Sequence, residues 1–134
     1  MAKIDAFFKL MFDQGASDLH LVAGQQPIVR LHGEMHRINY KTLENDELKA
    51  MLYEIAPEIK VKQYEETGDV DFGYEIPGMA RFRANFFNQK NGCAAVFRLI
   101  PSKVLSAEEL GLHPILTQSA MYRKGLVLVT GPTG

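Results

Sequence analysis

Between Val70 and Ile100 the side chains change character at almost every residue, and that period of two leaves little choice of fold. Val70, Phe72, Tyr74 and Ile76 alternate with Asp71, Gly73 and Glu75. Ala80, Phe82, Ala84 and Phe86 alternate with Arg81, Arg83, Asn85 and Phe87. Successive strand residues point to opposite sides, so such a run has one apolar and one polar face. Pro77-Gly78 turns the chain between the two runs. Gln89-Lys90-Asn91-Gly92 is a hairpin signal ahead of a third strand, Cys93 to Ile100, which Pro101 stops. The reading is an antiparallel sheet with one face buried.

The segments before Val70 supply what covers that face. Ile4, Phe7, Phe8, Met11 and Phe12 fall at helical spacing, and Gly15 sits where a helix ends. Asp18 to Val22 reads as a short strand. Ile28 to Leu31 and Met35 to Asn39 read as two more, joined across His32-Gly33-Glu34. Asn45 can cap a helix that carries Leu48, Met51, Leu52 and Ile55 on one face. Pro57 suits the first turn of a further helix, which Gly68 ends. The fold class expected is α+β, a mixed antiparallel sheet flanked by helices.

After Pro101 the pattern changes. Ser106-x-x-Glu109 is a capping box before a short helix, and Pro114 to Lys124 reads as helical. Leu126 to Val129 is apolar on both faces, as a parallel strand covered by helices is. A boundary near Pro101 to Ser106 follows. The apolar run leads into Thr130-Gly131-Pro132-Thr133-Gly134. A phosphate-binding P-loop needs a strand, then G-x-x-x-x-G-K-[ST], then a helix, and Gly131 fits its first glycine. The plain alternative is a strand end with a Gly-Pro turn.

Composition excludes several functions. A formal net charge of -1 announces no nucleic-acid surface. With Cys93 the only cysteine, no disulfide framework is possible, which suits the cytoplasm. The apolar run Ala6 to Phe12 is short and broken by Lys9, so it is neither a signal-peptide core nor a membrane span.

The residues best placed for chemistry are arginines. Arg83 and Arg98 lie on consecutive strands of one hairpin and share a face if the loop has an even number of residues. A Lys90-Asn91 turn puts them directly opposite, and an Asn91-Gly92 turn puts them diagonal. Arg81 shares that face. Like charges opposite one another cost up to about 1 kcal/mol, and a bound polyanion would offset this. The plain alternative is a solvated sheet face. His32 and His36 lack the H-E-x-x-H arrangement and sit at a turn, so no metal site is expected. Ser17 and His20 lack an evident acid partner for a catalytic triad, and Cys93 reads as a small core residue.

Four stretches occur together in order: Gly15-Ala16-Ser17-Asp18-Leu19-His20-Leu21, Ala80-Arg81-Phe82-Arg83-Ala84-Asn85, Val96-Phe97-Arg98-Leu99-Ile100-Pro101-Ser102-Lys103-Val104-Leu105, and Val127 to Gly134. With them the chain resembles the type IV pilus retraction (twitching motility) ATPases of the type II/type IV secretion ATPase superfamily. The resemblance implies a PAS-like N-terminal domain over residues 1–101, a linker over 102–113, and the first strand of a RecA-like motor domain over 114–134, ending inside the Walker A loop. It implies ATP and Mg in the full-length parent, with none held tightly by this chain, which is expected to be inactive alone. Arg83 and Arg98 map onto two arginines that reach the terminal phosphate, and Arg81 matches a less defined position. Gly131, Pro132, Thr133 and Gly134 map onto the phosphate loop. A cytoplasmic homo-hexamer docked on an inner-membrane pilus platform protein is implied, without membrane insertion or nucleic acid. Two other readings stay open: a domain of a pilus-assembly or type II secretion ATPase, and a PAS-like module that senses a small molecule.

Overall fold

The structure is a computed structural model that describes residues 2–101 and 104–131. It divides into two units, Met1–Ser102 and Lys103–Gly134. The first opens with helix α1 (Asp5–Gln14), strand β1 (Asp18–Val22), and the hairpin β2 (Ile28–Leu31) and β3 (Glu34–Arg37). Helices α2 (Asn45–Ile55) and α3 (Glu58–Thr67) follow, then strands β4 (Asp69–Ile76), β5 (Ala80–Gln89) and β6 (Gly92–Ile100). All six strands join one sheet in the order β3-β2-β1-β6-β5-β4, and every neighbouring pair is antiparallel.

The alternation expected from the sequence decides which face is buried. Leu19, Leu21, Phe82, Ala84, Phe86, Ala95 and Phe97 point inward against Phe8 and Met11 of α1 and Leu48 and Leu52 of α2. Phe8 stacks on Phe82 with ring centroids 4.5 Å apart and meets Phe97 edge-on at 4.9 Å. Phe86 meets Phe72 at 5.0 Å and Phe97 at 6.1 Å. These rings fill the space between sheet and helices, and such aromatic contacts contribute beyond the area they bury.

Glycine ends α1 as expected: Gly15 takes φ 67° and returns its N–H to the last turn. Two local readings in this unit need correction. The first hairpin turns on His32-Gly33 alone, both at positive φ, so β3 starts at Glu34 and ends at Arg37. A turn with two left-handed residues matches the twist of its strands. Asn45 does not cap α2. It is the first helical residue, and its side-chain carbonyl accepts the N–H of Cys93 at 2.8 Å. That long-range bond fixes α2 to the start of β6.

The second unit carries little regular structure among its described residues. The capping box forms, with Ser106 N–H donating to Glu109 at 2.9 Å and Glu109 N–H donating to Ser106 Oγ at 3.2 Å. It closes a turn rather than a helix. Helix α4 spans only Pro114–Ser119 and is capped by His113, whose Nδ1 accepts from Ile115 N–H at 3.2 Å. The expected strand Leu126 to Val129 has no ladder partner among the described residues, and its side chains are exposed. A strand needs a neighbour to satisfy its N–H and C=O groups, so without one the segment takes no strand structure.

Candidate functional site

The two faces of the sheet differ in kind. The inner face is the core. The outer face of β5 and β6 carries Arg81, Arg83, Asn85, Val96 and Arg98. The β5–β6 turn contains Lys90 and Asn91, with Gln89 paired to Gly92. Arg83 is therefore directly opposite Arg98, the first of the two geometries that the sequence left open. Together with Asp71, Asn85 and Val96 they line a shallow depression of about 390 Å³.

Two like charges held opposite one another need compensation, and the structure supplies it from strands on either side. Arg83 Nε lies 3.4 Å from Asp71 Oδ1 of β4. Arg98 Nε donates to Asp18 Oδ1 of β1 at 2.9 Å. These partners are unequal. The Asp71 side chain is 50% exposed, so its pairing with Arg83 is of the weak, solvent-screened kind. The Asp18 side chain is only 6% exposed. A buried carboxylate demands donors on every side. Ser17 Oγ–H donates to Asp18 Oδ2 at 2.8 Å, and Arg30 Nε stands 3.4 Å from the same oxygen.

Burial pushes the Asp18 carboxyl pKa up, but the bonds from Arg98 and Ser17 and the charges of Arg98 and Arg30 more than reverse this. It ends below the ordinary carboxylate value. His20, on the same face of β1, is pushed below the usual imidazole range. Burial is the main cause; the Arg30 and Arg98 charges act the same way, and Asp18 opposes them. Its Nε2 is buried without a hydrogen-bond partner among the described residues. His20 therefore stays neutral at neutral pH.

Arg83 and Arg98 engage their carboxylates through Nε, the guanidinium nitrogen nearest the stem. Their side chains are 68% and 70% exposed. The terminal nitrogen pair of a guanidinium is the edge that matches a phosphate bidentately. The geometry thus suits an anion that approaches the depression from outside the sheet. Among the described residues no group of three or more His, Cys, Asp or Glu gathers to hold a metal ion.

Arg81 stands on the same face one strand position pair away, 3.9 Å from Glu75 and outside the depression. Gly131 lies in no regular element, and a Cβ added there would meet no atom within 4 Å among the described residues. Pro132, Thr133 and Gly134 lie outside the described residues. Sequence reasoning missed Asp18 and Asp71, whose role depends on strand pairing between β1 and β6 and between β4 and β5. His32 sits in the β2–β3 turn and His36 on β3, and neither lines the depression. Cys93 is buried, and burial raises its thiol pKa.

No protein-family model matches the chain. It is 51% identical over 121 residues to the type IV pilus retraction ATPase PilT of Pseudomonas aeruginosa, a match that spans 90% of this chain and 35% of that protein. It is 46% identical over 108 residues to the twitching motility protein of Neisseria gonorrhoeae, spanning 81% of this chain and 29% of that one. A crystal structure of the pilus retraction motor PilT with bound ADP superposes with TM-score 0.80 at 34% identity, covering all of this chain and 39% of that one. The chain thus spans about a third of the length of the relatives it matches.

Proposed function

We propose that this chain, a homologue of the N-terminal region of the type IV pilus retraction ATPases, serves as the phosphate-facing module of such a motor. In this reading residues 1–101 form the N-terminal domain, 102–113 a linker and 114–134 the beginning of a RecA-like motor domain. ATP with Mg sits between the module and a motor domain, and Gly131 to Gly134 belong to the phosphate loop. Arg83 and Arg98 place their terminal nitrogens against the outermost phosphate and stabilise charge that develops during transfer. The parent works as a hexamer in the cytoplasm, against a platform protein at the inner membrane, and converts nucleotide state into pulling. No described helix is long and apolar enough to cross a membrane.

One observation carries this reading. Two largely exposed arginines lie directly opposite on β5 and β6, each with Nε nearest a flanking carboxylate, and both line an open depression. Like charges set directly opposite cost stability, and a phosphate that meets both guanidinium groups offsets that cost. The sensor alternative is disfavoured by the core. Phe8, Phe82, Phe86 and Phe97, all essentially buried, fill the sheet–helix interface where such a module would hold a small molecule.

The test is turnover in the full-length parent. Arg83→Ala and Arg98→Ala are expected to lower ATP hydrolysis by roughly a thousandfold, as loss of an arginine finger does, with unchanged circular dichroism. Parental turnover in both variants would reduce the pair to surface charges. The isolated chain is expected to release no phosphate from ATP.

A further inference from the structure

Arg83 and Arg98 belong to a longer arrangement. The pairings Gly73 with Arg83, Arg83 with Arg98, Arg98 with Asp18, Asp18 with Arg30, and Arg30 with Met35 put one residue from each strand on a single line across the sheet. Neighbours on that line are spaced by the strand separation, about 4.8 Å. Three of its members are arginines. Asp18 is its only carboxylate, and it lies between two of them.

A carboxylate beside an anion site can act in two opposed ways. It can compete, occupying the guanidinium and repelling the incoming phosphate. It can instead orient, holding the guanidinium so that less rotamer freedom is lost when the anion binds. The geometry decides between them. Asp18 is sunk in the sheet and tied by Ser17, so it cannot follow Arg98 outward. It takes Nε, not the terminal pair. The rest of the Arg98 side chain is largely exposed, on the residue paired with Arg83. Arg30 Nε lies 3.4 Å from the other carboxylate oxygen, and its Nη1 donates to the Gly33 carbonyl at 3.2 Å. With Arg30 beside it, Asp18 keeps a counter-ion when the Arg98 charge is shared with a bound anion.

We propose that Asp18 is a positioning residue, holding Arg98 by Nε so that its terminal nitrogens meet a phosphate beside Arg83, with Arg30 as the standing counter-ion of Asp18. The inference rests on the phosphate reading above, and the experiment separates the two. Inorganic tripolyphosphate is titrated into the chain while the arginine Nε–Hε resonances are followed by NMR. In the unliganded wild type the Arg98 Hε exchanges slowly with water, and Asp18→Asn speeds that exchange. Asp18→Asn weakens tripolyphosphate binding roughly three- to tenfold, although it makes the surface more positive. Arg98→Lys, which keeps the charge but not the fork, weakens it comparably.

Tighter or unchanged binding by Asp18→Asn would show a competitor or a bystander and overturn the inference. Fast Arg98 Hε exchange in the wild type, or an Arg98→Lys chain that binds as the wild type does, would overturn it as well. Wild-type binding that is absent, or indifferent to Arg83→Ala and Arg98→Ala, would instead remove the phosphate reading on which it rests.

Discussion

Gly92 governs the hairpin that aligns Arg83 with Arg98, and replacing it with alanine perturbs two things at once. Its φ is 128°, a region that L-residues enter at a cost of about 1–3 kcal/mol. A Cβ built there would lie 2.0 Å from Asn45 Oδ1 and 3.1 Å from Asn45 Cβ. Asn45 must then swing away, and its bond to the Cys93 N–H is lost, worth about 1 kcal/mol. Gly92→Ala should therefore cost roughly 2–4 kcal/mol, at about 4–8 °C of Tm per kcal/mol in a unit of this size. The diagnostic is a double-mutant cycle read by urea denaturation. Asn45→Ala alone loses the same bond and clears most of the obstruction. In the Asn45→Ala background, Gly92→Ala should add only the backbone strain, leaving the double variant near Gly92→Ala alone. Fully additive losses would refute the steric argument, and a cost below about 0.5 kcal/mol would refute the strain argument too.

Phe8→Ala should cost about 3–5 kcal/mol, measured by chemical denaturation, because Phe8 is fully buried and stacks on Phe82 at the centre of the core. Stability should also depend on pH through His20. Its folded pKa lies below the ordinary 6.5, so between the two values the unfolded chain binds more protons. Stability is full above the unfolded value and falls as pH drops through the folded one. His20→Gln should flatten that part of a Tm-against-pH curve, and an unchanged slope would assign the effect elsewhere. Asp18 adds a more acidic step of the same sign: its stabilisation is present above the unfolded carboxyl value and lost as pH falls through the depressed folded one.

Legibility followed sequence distance. The β4, β5 and β6 strands, the face they bury and the arginine pair could be read locally, because alternation and a two-residue turn determine register within a meander. Helix α1 and its terminal glycine were legible for the same reason. The carboxylate that holds Arg98 was not, since Asp18 reaches it from 80 residues away through a strand pairing that no local pattern specifies. Asn45 looked like a helix cap because its residue type favours that role. A partner 48 residues away outcompeted the local one. The run Leu126 to Val129 has the composition of a buried strand. A strand also needs a neighbour, and residues 104–131 contain none.

Strand β4 has one side of its backbone ladder unpaired among the described residues, because it closes the sheet at one end. Such a margin invites another chain to add itself, and natural proteins discourage this with charged side chains. Asp69, Asp71 and Glu75 all sit on this strand and are exposed. Asp71 and Glu75 pair with Arg83 and Arg81, so the carboxylates that steady the arginines also make the margin hostile to intermolecular strand addition. Neutralising them together would leave Phe72, Tyr74 and Ile76 on an uncharged, unpaired strand. The consequence lies in solubility rather than affinity. The acidic pattern of β4 is constrained by resistance to aggregation as well as by its arginines, and a variant that frees the arginines by removing these charges should precipitate more readily while it gains positive surface.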